Sequence, residues 1–183
     1  MEHYINIAIL GGVSVGKSTL LNCLLGEYYS PTSYCRTTMT PQIYYESLTN
    51  IDDPHHIMQN NINLNKNNSV PANNNRQSTL LNNGLTTNRY NVPKISDFVD
   101  LHPGVGISLH DIHGLNDSVT KETHCKYVKD NFHNFDVVIF LLDICSAMNT
   151  GDQMEMLKFI LTCIKTKTEE FKCETKFVVL INK

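Results

Sequence analysis

Gly11-Gly12-Val13-Ser14-Val15-Gly16-Lys17-Ser18 has the most explicit chemistry of any segment in this 183-residue chain. Its spacing is G-x-x-x-x-G-K-[ST]. Glycines let the backbone turn so that successive N–H groups face inward and cradle phosphate oxygens. A helix starting at the end of such a turn adds its partial positive charge. Lys17 stands where an ammonium reaches β- and γ-phosphates, and Ser18 where a hydroxyl ligates Mg²⁺. Three later segments offer groups for the same chemistry. Asp111-Ile112-His113-Gly114 supplies a carboxylate able to hold a water on Mg²⁺ and, at Gly114, an N–H for a γ-phosphate. Thr37-Thr38-Met39-Thr40-Pro41 supplies hydroxyls that could complete the metal shell. Val178-Val179-Leu180-Ile181 runs into Asn182-Lys183.

These groups need elements to hold them, and the hydrophobic pattern supplies them. Ile5 to Leu10 reads as a buried strand ahead of the glycines, and 17–25 as a short helix with Leu21, Leu24 and Leu25 on one side and Gly26 as its stop. Residues 42–47 and 105–112 read as strands. Cys125, Val128, Phe132 and Phe135 recur at helical spacing over 118–133. Residues 137–143 form a continuous apolar strand. Asp152 and Glu155 resemble a capping box ahead of Leu157, Ile160, Leu161 and Ile164, and 176–181 is the last strand. Strands alternating with helices predict an α/β fold, a mainly parallel sheet with helices on both faces. Residues 51–95, with Asn-Lys-Asn-Asn at 65–68 and Asn-Asn-Asn at 73–75, read instead as a mobile low-complexity insertion.

Composition narrows the classes. At 41% hydrophobic residues, the chain can bury one core of ordinary size, and a formal charge of −3 argues against a nucleic-acid-holding domain. No apolar run reaches the length of a membrane span, and the N-terminus lacks a secretory pattern. Six scattered cysteines without a CxxC pair fit reduced thiols in a cytoplasmic setting. Only His110 and His113 have a spacing that suits zinc, so no zinc site is expected.

Phosphate loop, Thr loop, D-x-x-G and strand-Asn-Lys, in that order, resemble the P-loop GTPase superfamily, whose fourth motif is N-K-x-D. More narrowly, Gly11-Gly12-x-Ser14-x-Gly16-Lys17-Ser18, Leu24-Leu25-Gly26-Glu27 with Thr37-Thr38 and Pro41, and Asp111-Ile112-His113-Gly114-Leu115-Asn116-Asp117 are similar to the dynamin-like large GTPases. The resemblance implies a three-layer α/β sandwich over 1–183, interrupted by 51–95. It implies nucleotide contacts from Gly11, Gly12, Val13, Ser14, Val15, Gly16, Lys17, Ser18, Thr19, Asp111, Gly114, Asn182 and Lys183. Mg²⁺ would be held by Ser18, Thr38 and Asp111, and catalysis carried by Ser14, Lys17 and Thr38. Thr38 is preferred over Thr37 for its T-x-x-P spacing to Pro41.

Leu115 stands where Ras-like proteins carry a water-orienting glutamine, and Val13 would crowd an arginine finger. The resemblance therefore implies GTP hydrolysis to GDP and phosphate, stimulated when two copies meet through the nucleotide face, with Ser14 helping to hold a charge-compensating cation there. Val13 and His113 depart from the dynamin-like pattern. The alternatives are a nucleotide-responsive switch with negligible turnover and, third, a P-loop ATPase. Membrane association enters only through the resemblance. The aspartate of N-K-x-D would follow Lys183, so the chain is expected to be the front part of a longer protein.

Overall fold

The computed structural model describes residues 3–26, 28–30, 40–46, 77–80, 86–92, 102, 104–112, 114–117, 119–145 and 151–182. In chain order the elements are β1 (His3–Gly11), α1 (Lys17–Leu25), β2 (Gln42–Glu46), β3 (Gln77–Leu80), β4 (Thr86–Val92) and β5 (Val105–Asp111). They continue with α2 (Lys121–Asn131), a 3₁₀ turn (Phe132–Asn134), β6 (Val137–Asp143), α3 (Gly151–Phe171) and β7 (Lys176–Asn182). Apolar runs at β1, β5 and β6 become central strands because both faces of a parallel sheet are covered.

The strands form one seven-stranded sheet in the order β3-β4-β2-β5-β1-β6-β7. β5, β1, β6 and β7 run parallel, β2 is antiparallel to β5, β4 is parallel to β2, and β3 is antiparallel to β4. The register pairs Ile9 with Asp111 and Gly11 with Leu141, which brings the carboxyl ends of β5, β1 and β6 to one level. In such sheets ligands bind at that edge. The fold is the mainly parallel α/β arrangement that the sequence predicts.

Successive side chains of β1 feed opposite faces, as strand geometry requires. Ala8 and Leu10 join Val128, Phe132, Phe135, Phe140 and Ile160 under α2 and α3. Ile9 joins Leu21, Tyr44, Val92 and Leu109 on the face of α1. Gly26, at φ 69°, ends α1 as expected, its N–H bonded to Cys23 O. Lys167 is buried in α3 and donates to Phe135 O at 2.6 Å, a structural use of a lysine.

Several expectations need correction. The expected insertion at 51–95 contains β3 and β4, because its later part alternates β-formers among the polar residues. Tyr90 stacks on Tyr44 with ring centroids 5.1 Å apart, and Val92 is buried. The remainder of 51–95 lies outside the described residues. Asp152 is inside the first turn of α3 and so cannot be its cap. Leu24 and Leu161 are exposed, because the apolar stripes of α1 and α3 are narrower than the pattern suggested. β7 forms as expected, yet Val178, Val179 and Ile181 are exposed on it, and among the described strands it pairs only with β6. No described helix is long and apolar enough to cross a membrane.

Candidate functional site

β1 ends at Gly11, and α1 begins at Lys17, so the phosphate-loop sequence forms the turn between a central strand and a helix. Two residues of this turn have left-handed backbone: Ser14 at φ 59° and Gly16 at φ 95°. Gly16 is required twice over. Its φ disfavours any side chain, and an added Cβ would collide with the Asn182 side-chain amide. That amide donates to Val15 O at 3.0 Å, so the end of β7 braces the loop from behind.

Lys17 is the first residue of α1 and is buried, with Nζ donating to Gly12 O at 2.6 Å and lying 3.5 Å from Gly11 O. Burial lowers its pKa to about 8, partly opposed by the negative charge of Asp111. It is therefore largely protonated at pH 7 and held in the turn by backbone carbonyls. Ser18 follows and donates from Oγ to Asp111 Oδ2 at 3.1 Å. Asp111 itself is buried at the end of β5.

Sequence reasoning missed Ser30. It is fully buried and donates from Oγ to the same Asp111 Oδ2 at 3.1 Å. Asn22 of α1 holds it there: Asn22 Oδ1 accepts from Tyr29 N at 2.9 Å and Ser30 N at 2.8 Å, and Asn22 Nδ2 donates to Ser30 O at 2.7 Å. Three hard oxygen donors, from Ser18, Ser30 and Asp111, thus converge, which fits the oxygen preference of Mg²⁺. No local pattern announces this, since Ser30 and Asp111 are 81 residues apart.

A second unannounced residue is Asn116. Its Oδ1 accepts from Val13 N at 2.7 Å, and Leu115 N donates to Gly11 O at 3.2 Å. Gly114 lies so close that an added Cβ would stand 2.6 Å from Val13 N. Residues 114–117 are therefore fastened directly onto the phosphate loop. Asp117 Oδ1 then accepts from Val119 N and Thr120 N at the entrance to α2.

The structure brings together Gly11, Gly12, Val13, Ser14, Val15, Gly16, Lys17, Ser18, Thr19, Asp111, Gly114 and Asn182 at one edge of the sheet. Thr37, Thr38, His113 and Lys183 lie outside the described residues. Leu115 is fully buried in the core beneath α2, so its side chain presents nothing to the loop.

A phosphate-binding turn between a central parallel strand and a helix, faced by a D-x-x-G at the neighbouring strand end, defines a P-loop GTPase domain. Residues 6–183 match the 50S ribosome-binding GTPase family, and the chain belongs to that family. Uncharacterized protein R618 of Acanthamoeba polyphaga mimivirus is 25% identical over 98% of this chain, which spans 28% of that relative's length. Among solved structures, an oligomerised bacterial dynamin pair is 20% identical over 98% of this chain and 25% of its own, with a TM-score of 0.47. Era of Aquifex aeolicus is 16% identical over 99% of this chain and 52% of its own, with a TM-score of 0.46.

Proposed function

We propose that this domain binds GTP with Mg²⁺ and hydrolyses it to GDP and phosphate, slowly alone and faster when two copies meet through the nucleotide face. One observation carries the reading. Buried Lys17, on Gly12 O at 2.6 Å, and the Ser18–Asp111 pair, at 3.1 Å, both border the turn built by Gly12 to Gly16.

In that arrangement Lys17 exchanges two carbonyls for phosphate oxygens, a stronger charge-assisted partner. Mg²⁺ would supply charge compensation on the β- and γ-phosphate oxygens, held by the Ser18 hydroxyl and, through water, by Asp111. Ser30 fixes the Asp111 carboxylate. The Val13 N–H, given to Asn116 in the structure, is a donor that nucleotide could claim, and releasing Asn116 would loosen residues 114–117. Thr38, by resemblance, completes the metal shell and positions water.

Two features support the pairwise mechanism. Ser14 is exposed at the rim of the loop, open to a facing copy, and buried Leu115 cannot orient water. The same burial of Leu115 favours a second reading, a nucleotide-responsive switch with negligible turnover.

Fluorescent GTP and ATP analogues titrated with Mg²⁺, beside Lys17→Ala, test the reading. GTP-selective binding lost in the variant is expected; equal or tighter ATP binding would overturn the guanine assignment. Phosphate release per molecule should rise with protein concentration. A flat rate removes the pairwise mechanism, and multiple turnover removes the switch.

A further inference from the structure

Asn22 lies inside α1, half-buried, and its side chain is given over to the segment that follows the helix. Its Oδ1 accepts from Tyr29 N at 2.9 Å and Ser30 N at 2.8 Å, while its Nδ2 donates to Ser30 O at 2.7 Å. Accepting from two N–H groups while donating to a carbonyl takes a side-chain amide: a carboxylate has no proton for Ser30 O. Because the amide holds both the N–H and the C=O of Ser30, it fixes the peptide groups on either side of that residue. The direction of the Ser30 side chain follows from them.

That direction has one target. Ser30 is fully buried and donates from Oγ to Asp111 Oδ2 at 3.1 Å, the oxygen that also accepts from Ser18 Oγ at 3.1 Å. Ser18 and Asn22 are four residues apart on α1 and so share a helix face. The helix thus orients the Asp111 carboxylate at two points, directly through Ser18 and indirectly through Asn22 and Ser30. Tyr29 is anchored without Asn22: its ring meets that of Tyr44 at 6.2 Å and packs against the core of Ile9, Leu21 and Leu109. What Asn22 adds is the setting of Ser30 rather than the attachment of the segment.

We propose that Asn22 is a positioning residue for the metal, holding the Asp111 carboxylate in place for Mg²⁺ by way of Ser30, a role that rests on the GTP and Mg²⁺ reading of the site. Groups that orient a metal's partners govern its affinity although they never touch it. Loosening the carboxylate adds an ordering cost to metal binding and leaves the phosphate contacts of the loop alone.

Binding of a fluorescent GTP analogue is titrated with Mg²⁺ in the unaltered chain, Asn22→Ala, Ser30→Ala and the double variant, and repeated in EDTA. Alanine favours a helix interior, so Asn22→Ala is expected to fold. Its Mg²⁺ midpoint should rise several-fold, and the double variant should match Ser30→Ala, because residues acting in series are not additive. Affinity in EDTA should stay within about twofold, which a general loosening of the fold would not allow. Without nucleotide, hydrogen exchange at the Tyr29 and Ser30 amides should quicken in Asn22→Ala. An unchanged midpoint, effects that multiply in the double variant, an equal loss in EDTA, or unchanged exchange at Ser30 would each overturn the proposal while nucleotide binding stands. Absence of Mg²⁺-dependent binding by the unaltered chain would instead overturn the reading of the site, and the proposal with it.

Discussion

The phosphate-loop corner and the flank under α2 spend their polar groups in opposite ways. At the corner, Lys17, Ser18, Ser30, Asn116 and Asn182 each make a hydrogen bond within the protein, and four of them bond across more than 80 residues of sequence. At the flank, His110 is buried with one nitrogen unbonded, and Arg89 stands at the rim of a cavity. A corner whose donors already rest on protein acceptors is held in shape and switches partners when a ligand arrives. Breaking a bond at the corner should therefore disturb nucleotide, whereas the flank should answer to pH.

Variants and pH can test that contrast, starting from its strongest point. Lys17→Ala removes the buried cation, and nucleotide affinity should fall by about a hundredfold or more, in the range for truncating a desolvated charge partner. In the unaltered chain, affinity should also decline as pH rises above about 8, up to tenfold per unit, because binding then requires proton uptake by Lys17. Isothermal titration across pH 7 to 10 checks both.

Acid should strike the flank next. Below pH 6.5 the unfolded chain binds a proton at His110 that the folded chain resists until about pH 4, with Arg89 and Tyr127 facing the ring. This contribution to stability is intact above pH 6.5 and lost progressively toward pH 4, at most about 3 kcal/mol. Urea unfolding of His110→Phe should lack that part of the pH dependence.

Gly16→Ala strains a left-handed residue and pushes on Asn182; a stability loss of about 2 kcal/mol is expected in the same unfolding assay. Ser30→Ala removes one of the donors on Asp111 and should raise the Mg²⁺ concentration needed for nucleotide binding several-fold, about 1 kcal/mol. Glu155→Gln breaks the exposed Lys121–Glu155 pair at 3.1 Å and should leave the unfolding midpoint unchanged within error.

The corner was largely legible in the sequence because its chemistry is local. Glycines at fixed offsets, a lysine and a serine dictate a turn by backbone sterics, and the strand and helix beside it announce themselves by period. Asn116 and Ser30 were illegible, since what makes them functional neighbours is strand register, fixed by pairs such as Ile9 with Asp111. β4 was hidden by composition: asparagine dominates its surroundings, while the stacking of Tyr90 on Tyr44 that secures it is a tertiary contact. His110 read only as a poor zinc candidate, and nothing in its neighbours along the chain signals a cavity whose lining comes from β1, β2, β4, β5 and α2.

β7 has a practical consequence for any rate measurement. Among the described strands none pairs with its outer side, and Val178, Val179 and Ile181 are exposed along it. Such an edge invites strand-to-strand sticking between molecules at the concentrations used to look for cooperative kinetics. Light scattering run with and without nucleotide separates the two kinds of association. Contact through the phosphate loop should respond to GTP, whereas edge pairing should not, and a charged residue in place of Ile181 should suppress only the latter.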